Sequence, residues 1–564
     1  MSRHTYTVAS FLAEALVTMG VKRIYGIIGT SILDFVDTLY DRQKEIRYVT
    51  VRHEQVAVSM ADAEYRVTGN MGAALVHAGP GFLNTMISLG IAYKDRIPLL
   101  LISGGVRRRL HGTDAWLEVD QQALAAPITK AARRLNNPEE LPRILVELVK
   151  SATTPPRGPV LLEVPEDLWN KEVAGDPREI VQAMIVEERR PEPADVERVL
   201  DELAKASRPL ILVCGEASAP GIEKVLGELA DRLGAYIVTT GNARGSCNEE
   251  EPRCLGRVGF GGGSLPADKA LEEADVVLVL GDELDDIATY GYTVYPSGDV
   301  FIVSENDVVS RRPIYYTGWI RANPRLFVEA MLATARSKGL KLDKPEWDKT
   351  IEELVRRWQY MLDEAVSRRY SGRANPAKFF KKLYERLPAD FIITGGQGTH
   401  ILYAYDFIRI HKPRSFLAAT NLGAMGYAFP AALAAKLSKP EAEVIAVVGD
   451  GEFMMTVQDL ETAVRERIPV KVVVVNDWSY RVLLLRQKIQ KRGRILGTLL
   501  GNPDFVKLAE AFGAEGYTVG RDDDIDEAIK VMLESNKPFI VDLQISAEDM
   551  PPLNLEASLR MSAT

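Results

Sequence analysis

Gly449-Asp450-Gly451 is followed, after 24 intervening residues, by Asn476-Asp477. An apolar run at 444–448 ends at the glycine-flanked aspartate, and helical periodicity covers 452–465. Ile468 and Pro469 close that helix, and 470–475 reads as a second buried strand. The pattern puts Asp450 and the Asn476-Asp477 pair at the carboxyl ends of two strands, the edge where parallel α/β sheets bind ligands. Carboxylate oxygens suit a hard divalent cation. Glycines let the backbone approach a diphosphate, and a helix N-terminus favours its negative charge. The chemistry implied is a Mg²⁺-bridged diphosphate.

The elements that must position these residues recur along the whole chain. Its 564 residues are too many for one ordinary domain. Apolar strands alternate with helices at 23–28, 73–77, 99–102 and 160–164, then at 209–214, 236–240, 276–280 and 300–303, and again at 391–394, 444–448, 470–475 and 539–543. Charged or proline-bearing stretches at 186–195 and 371–376 read as linkers. The expectation is three doubly wound α/β domains with mainly parallel sheets, spanning 1–185, 186–370 and 371–550, with a tail at 551–564 that is either a lid or a frayed end.

The formal net charge of −9 is spread without long runs, which argues against nucleic acid. No apolar stretch is long enough for a bilayer, and residues 1–10 lack a secretory pattern, so no membrane partner and a cytoplasmic location are expected. Arg107-Arg108-Arg109 reads as a loop or solvated face. Cys214, Cys247 and Cys254 form neither a disulfide framework nor a zinc set and read as separate thiols.

Arg52-His53-Glu54-Gln55 precedes an alanine-rich helix at 56–66. A carboxylate there serves a helix N-terminus. Taken with the opening pattern, it resembles something more specific. Tyr25-Gly26-Ile27-Ile28-Gly29, His53-Glu54-Gln55, Ala78-Gly79-Pro80-Gly81, Gly112-Thr113-Asp114-Ala115, Gly423-Ala424-Met425-Gly426-Tyr427 and Gly449-Asp450-Gly451 match, in order and spacing, the acetohydroxyacid synthase, pyruvate oxidase and 2-oxo acid decarboxylase superfamily. The resemblance covers nearly the whole length and names the three domains pyrimidine-binding, central with Rossmann-like topology, and diphosphate-binding.

It implies thiamine diphosphate and Mg²⁺ as cofactors. Glu54 would hydrogen-bond N1′ of the aminopyrimidine, Gly423 would accept the 4′-amino group through its carbonyl, and Met425 would wedge beneath the bent cofactor. Gly398, Thr399, Gly449, Gly451, Glu452 and Phe453 would surround the diphosphate. Asp450, Asp477 and the Ser479 carbonyl would bind the metal. His77 and His111 stand beside matched motifs as proton shuttles. Thr30, His77, Trp116, Leu117, His400 and Arg486 would face a small-molecule substrate. The cofactor would bridge two subunits, giving a homodimer or homotetramer with the active site between them.

The sequence also departs from the pattern. The second metal position, an amide in most relatives, is Asp477, which adds negative charge near the diphosphate. Leu117 replaces a glutamine of the synthases, and Arg486 stands where they carry a tryptophan that shapes the acceptor pocket. Glu283 and Ile287 occupy positions where flavin-binding relatives have arginines, so FAD is not expected. Gly259-Phe260-Gly261-Gly262-Gly263 is read as lying outside a strand-to-helix turn.

The implied activity is carbon–carbon lyase or carboligase chemistry on a 2-oxo acid, like acetolactate synthase or a 2-oxo acid decarboxylase. Alternatives are an acetyltransferase resembling sulfoacetaldehyde acetyltransferase, a 2-hydroxyacyl-CoA lyase, and, from another class, a non-catalytic regulatory or structural subunit.

Overall fold

A computed structural model describes residues 5–554, 557 and 558. Three six-stranded sheets follow one another, every neighbouring strand pair parallel. The strands are short valine-, leucine- and isoleucine-rich runs, as befits sheets covered by helices on both faces.

The first sheet runs, in spatial order, Arg47–Thr50, Arg23–Gly26, Gly72–Val76, Leu99–Gly105, Val160–Pro165 and Ala131–Arg134. The third runs Phe416–Ala418, Phe391–Gly395, Glu443–Gly449, Lys471–Asn476, Phe539–Gln544 and Glu515–Val519. With strands numbered along each segment, both have the order 2-1-3-4-6-5. The middle sheet, built from Pro209–Val213, Tyr236–Thr239, Cys254–Arg257, Val276–Leu280, Asp299–Val303 and Gly318–Ile320, has the order 3-2-1-4-5-6 of dinucleotide-binding folds. In each order the first strand has the second on one side and the third or fourth on the other, and that switch point opens a crevice at the carboxyl edge. In the first sheet the crevice lies between the loops that follow Gly26 and Val76, and in the third between those that follow Gly395 and Gly449.

The first and third sheets share one hydrophobic core. Helix Glu54–Thr68 packs on helix Ala428–Ser438 through small residues, among them Ala57, Ala61, Ala431 and Ala435. Polar ties cross the same seam. The Tyr427 hydroxyl donates to Asp62 at 2.7 Å, Arg66, held by Asp62 and Asp95 of its own sheet's segment, donates to the Ala418 carbonyl at 3.1 Å, and the Asn421 N–H donates to Asp95 at 3.0 Å.

Three expectations are corrected. Residues 452–465 do not form one helix: Asp450–Phe453 and Leu460–Arg465 are separated by a turn and the 3₁₀ segment Val457–Asp459, because Asp459 turns inward to accept the Arg52 N–H at 2.9 Å. Cys247 and Cys254 are joined in a disulfide, and Cys214 alone is a buried thiol. The pairing depends on the fold bringing the two Cα atoms to 5.8 Å. The Gly259–Gly263 loop does connect a strand, Cys254–Arg257, to a helix, Leu265–Glu273. Its Gly259 N–H is taken by the buried Asp268 at 2.8 Å, which also receives Tyr290 and Asn554.

Arg108–Leu110 is an exposed 3₁₀ turn paired with Asp167, in line with a solvated face. No helix among the described residues is long and apolar enough to cross a membrane. Of the anticipated tail, residues 555, 556 and 559–564 lie outside the described residues, and Asn554 is docked on Asp268 in the middle segment.

Candidate functional site

The switch point of the third sheet holds a cavity of about 330 Å³ walled by Gln397–His400, Met425, Gly449–Glu452 and Ser479–Leu483, with Asp477 at its base. Asp450 is 2% and Asp477 8% exposed. Burial pushes the Asp450 carboxyl up to about 6, and the neighbouring Asp477 charge adds to it. Asp477 is also raised by burial, with Arg481 opposing. Two desolvated, mutually repelling carboxylates on a pocket wall are a site short of positive charge.

Local turns aim them. Trp478 has φ +57°, and Asp477 Oδ1 accepts the Ser479 N–H at 3.1 Å and hydroxyl at 2.9 Å. Asn476 turns away to donate to Asp542 at 2.8 Å. Asn502, from a later loop, reaches Asp450 Oδ2 at 2.7 Å and Asn476 Oδ1 at 2.9 Å through one amide nitrogen. Among the described residues no cluster of three or more His, Cys, Asp or Glu side chains forms a metal site. The set here is two carboxylates plus backbone oxygen, which suits an oxygen-preferring cation that keeps other ligands from its substrate or cofactor.

Glu452 ties the pocket loops together. It accepts the Gly426 N–H at 3.0 Å and the Gln397 N–H at 3.1 Å, and His400 Nε2 stands 3.1 Å away. Gly396 must lack a side chain, because a Cβ there would lie 1.7 Å from Glu452. The His400 ring sits between Gly398 and Gly449, each of whose added Cβ atoms would approach it to 2.8 Å. Gly423 is exposed with φ +68°. Phe453 differs from its expected place: its ring is buried against Phe429 and Phe505, in the core rather than the pocket.

The switch point of the first sheet gathers a second group. Glu54, 8% exposed, opens helix Glu54–Thr68 and accepts from Asn84 Nδ2 at 2.9 Å. A Cβ on Gly81 would stand 3.3 Å from Glu54 Oε1 and 3.3 Å from His77 Cβ, so the two side chains flank that glycine. Burial lowers His77, with the Glu54 charge opposing. Leu117, at φ +71°, presses its carbonyl toward Gly79, bringing the Trp116-Leu117 loop against the Ala78–Gly81 turn. Thr30 is exposed at the same edge, and Trp116 is 82% exposed.

Two predicted residues stand apart. His111 is half-buried with Nε2 on the Val106 carbonyl at 2.9 Å. Arg486 is exposed, and Arg481, one and a half turns earlier, is the arginine that lines the cavity. Ser31, Asn84 and Asn502 escaped the sequence reading, since nothing in their local strings marks them.

Chain comparisons match this arrangement. A model described as "Thiamine pyrophosphate enzyme, N-terminal TPP binding domain" matches residues 6–124, the central-domain model matches 196–310, and the "C-terminal TPP binding domain" model matches 396–543. The chain belongs to the thiamine pyrophosphate enzyme family. It is 30% identical over 558 residues to the probable acetolactate synthase large subunit of Methanocaldococcus jannaschii, covering 97% of this chain and 93% of that one. It is 31% identical over 560 residues to acetolactate synthase of Mycobacterium bovis, covering 96% and 88%. It is 29% identical over 555 residues to acetolactate synthase isozyme 3 large subunit of Escherichia coli, covering 96% and 95%. As a member of this family the chain is an enzyme that uses thiamine diphosphate, and it is similar to acetolactate synthases.

The middle domain carries a larger cavity, of about 730 Å³, at its own switch point. Its amides are occupied from within. Glu283 accepts the Gly215 N–H and Asn242, each at 3.0 Å, as well as the Thr240 hydroxyl. Glu216 accepts the Glu305 N–H at 3.0 Å, Ser304 at 2.5 Å and Asn306 at 3.1 Å. Burial pushes the Glu216 carboxyl up to about 7. These carboxylates take up backbone and side-chain donors at the switch point, while Arg66, Arg96, Arg157, Arg325 and Arg414 line other parts of the same cavity.

Proposed function

We propose that this chain is a Mg²⁺-dependent carboligase or lyase that breaks or forms a carbon–carbon bond beside the carbonyl of a 2-oxo acid, as an acetolactate synthase-like enzyme or a 2-oxo acid decarboxylase. The observation that carries this reading is the buried Asp450–Asp477 pair opening on a cavity walled by Met425, in a chain similar along its length to acetolactate synthases. Asp450, Asp477 and the Ser479 carbonyl would hold the cation. Gly398, Thr399 and His400 would flank the diphosphate, with Glu452 holding their loop in place. When bound, thiamine diphosphate supplies an electron sink for the bond that breaks.

The chain's own residues do the rest. Glu54, oriented by Asn84, would hydrogen-bond N1′ of the aminopyrimidine. His77 presents a neutral imidazole to the reacting carbonyl. Met425 gives the pocket an apolar wall.

We further propose a homodimeric or homotetrameric assembly. The cavity with Asp450 is lined by third-domain residues alone, and Glu54 is not among them. Exposed apolar side chains, Leu483, Ile489, Leu496 and Leu499, stand on the segment beside its wall. The middle cavity is proposed to operate without flavin, on the evidence of Glu283 and Glu216. A cytoplasmic site of action goes with this reading.

Incubation with thiamine diphosphate, Mg²⁺ and pyruvate, followed by NMR, tests the proposal. Acetolactate, or acetaldehyde with CO₂, is the expected product. Bound cofactor with pyruvate unchanged would contradict a pyruvate-type donor.

A further inference from the structure

Asp477 puts a second carboxylate where an amide would serve a cation with less charge. The fold answers that charge locally. Arg481, at the start of helix Arg481–Gln490, is 5% exposed, and its Nε lies 3.3 Å from Asp477 Oδ2. The other oxygen, Oδ1, is taken by the Ser479 N–H and hydroxyl. Arg481 Nη2 donates to the Ser546 carbonyl at 3.2 Å and to the Asp549 carbonyl, which fixes the guanidinium against the cavity wall. Its Nε and Nη1 have no hydrogen-bond partner, although both are buried and the residue lines the cavity. Three further acids near the site are already occupied: Glu452 accepts two backbone N–H groups and faces His400, Asp542 accepts from Asn476 and Gln544, and Asp549 accepts from the Tyr370 and Tyr403 hydroxyls.

We infer that Arg481 is a positioning residue that neutralises Asp477, so that the carboxylate pair and the guanidinium together present the single negative charge that an Asp–amide pair would present to Mg²⁺ and the diphosphate. This rests on the metal-site reading above. The physical ground is that a buried charge without a partner is costly, while a paired one leaves the local field nearly unchanged at the distance of the next group. Asp477 and Arg481 are therefore one unit, and the extra carboxylate does not weaken the diphosphate site as its charge alone implies.

The alternative is that Arg481 only pins the backbone at Ser546–Asp549. A double-mutant cycle separates the two. Thiamine diphosphate is titrated into the full chain at saturating Mg²⁺, read by tryptophan fluorescence, with melting of the unloaded protein followed in parallel. Arg481→Met is expected to weaken cofactor binding by about tenfold or more and to lower the melting temperature, while Asp477→Asn/Arg481→Met recovers binding to within about threefold of the parent. A double variant as weak as Arg481→Met overturns the inference, since lost backbone pinning would not be repaired at position 477. Should Arg481→Met fail to fold, Arg481→Lys decides: the retained charge keeps binding within about threefold of the parent, and a loss of about tenfold overturns the inference. Asp450→Asn reports on the metal site itself. Mg²⁺-dependent binding that survives it would contradict the site reading and leave the pair's coupling to be judged by melting alone.

Discussion

The hydroxyl of Ser31 stands 2.7 Å from Nδ1 of His77. That oxygen already accepts the Ala78 N–H at 3.0 Å, so its own proton is free to point at the ring, and the Ser31 N–H lies 3.4 Å from the same nitrogen. Two donors on Nδ1 make it the acceptor, and the neutral ring keeps its proton on Nε2. Burial lowers His77, which favours this neutral form near pH 7. ¹⁵N NMR of the histidines should show one ring fixed in the Nε2–H tautomer. In Ser31→Ala, which keeps only the longer backbone donor, that signature should weaken and kcat/KM should fall about tenfold. An unchanged tautomer would contradict the assignment.

Asn502 bridges Asp450 and Asn476 with one amide nitrogen. Partners behind metal ligands tune affinity as well as geometry. Asn502→Ala should raise the Mg²⁺ concentration needed for half-maximal cofactor binding by about tenfold, with the fold intact by circular dichroism. Titrating Mg²⁺ at fixed thiamine diphosphate measures this.

The first and third domains are clamped by Tyr427 on Asp62, both fully buried. Tyr427→Phe removes the donor and leaves a buried carboxylate with fewer partners. Stability should drop by about 1–3 kcal/mol, read as a lower denaturant midpoint with an unchanged slope. A neutral substitution would mean that the remaining ties, Arg66 to the Ala418 carbonyl and the Asn421 N–H to Asp95, hold the seam without it.

Glu216 supplies a pH signature for the middle domain. Its folded carboxyl is pushed up to about 7 by burial, against an ordinary value of 4.5. Because the folded pKa is the higher one, the folded state binds more protons between those values. The contribution to stability is full below about 4.5 and is lost as pH rises through about 7. Melting temperature should therefore fall from pH 5 to pH 8, and Glu216→Gln should flatten that slope by about 2 °C or more. A parallel slope in the variant would assign the effect to other groups. The same preparations should carry no flavin absorbance.

Much of this was legible in the sequence, because strand identity and glycine-flanked acids are local signals. The apolar runs at 23–28, 73–77, 391–394 and 444–448 marked the strands whose edges hold the site, and the motifs named Glu54, Met425, Asp450 and Asp477. What escaped is tertiary. Asn84, Ser31 and Asn502 matter through side chains that meet partners 30, 46 and 52 residues away. The break at Thr456 in the expected helix came from Asp459 reaching the first domain, which no 3.6-residue period records. The resemblance drew attention to Arg486, and the fold brings a different arginine to the cavity. The helix starts at Arg481, whose side chain turns back onto Asp477, while Arg486 lies on its exposed face. The Cys247–Cys254 bond likewise depends on the loop's closure and not on its spacing.

The most direct measurement is exchange of the thiazolium C2 proton of bound thiamine diphosphate in deuterated water, followed by quenched-flow NMR with Mg²⁺ present. The chain as it stands should exchange that proton far faster than free cofactor. Glu54→Gln should bind the cofactor yet slow exchange by about a hundredfold or more. Cofactor bound by the unaltered chain with exchange no faster than in free solution would contradict the assignment of Glu54 and of the site built around Asp450 and Asp477.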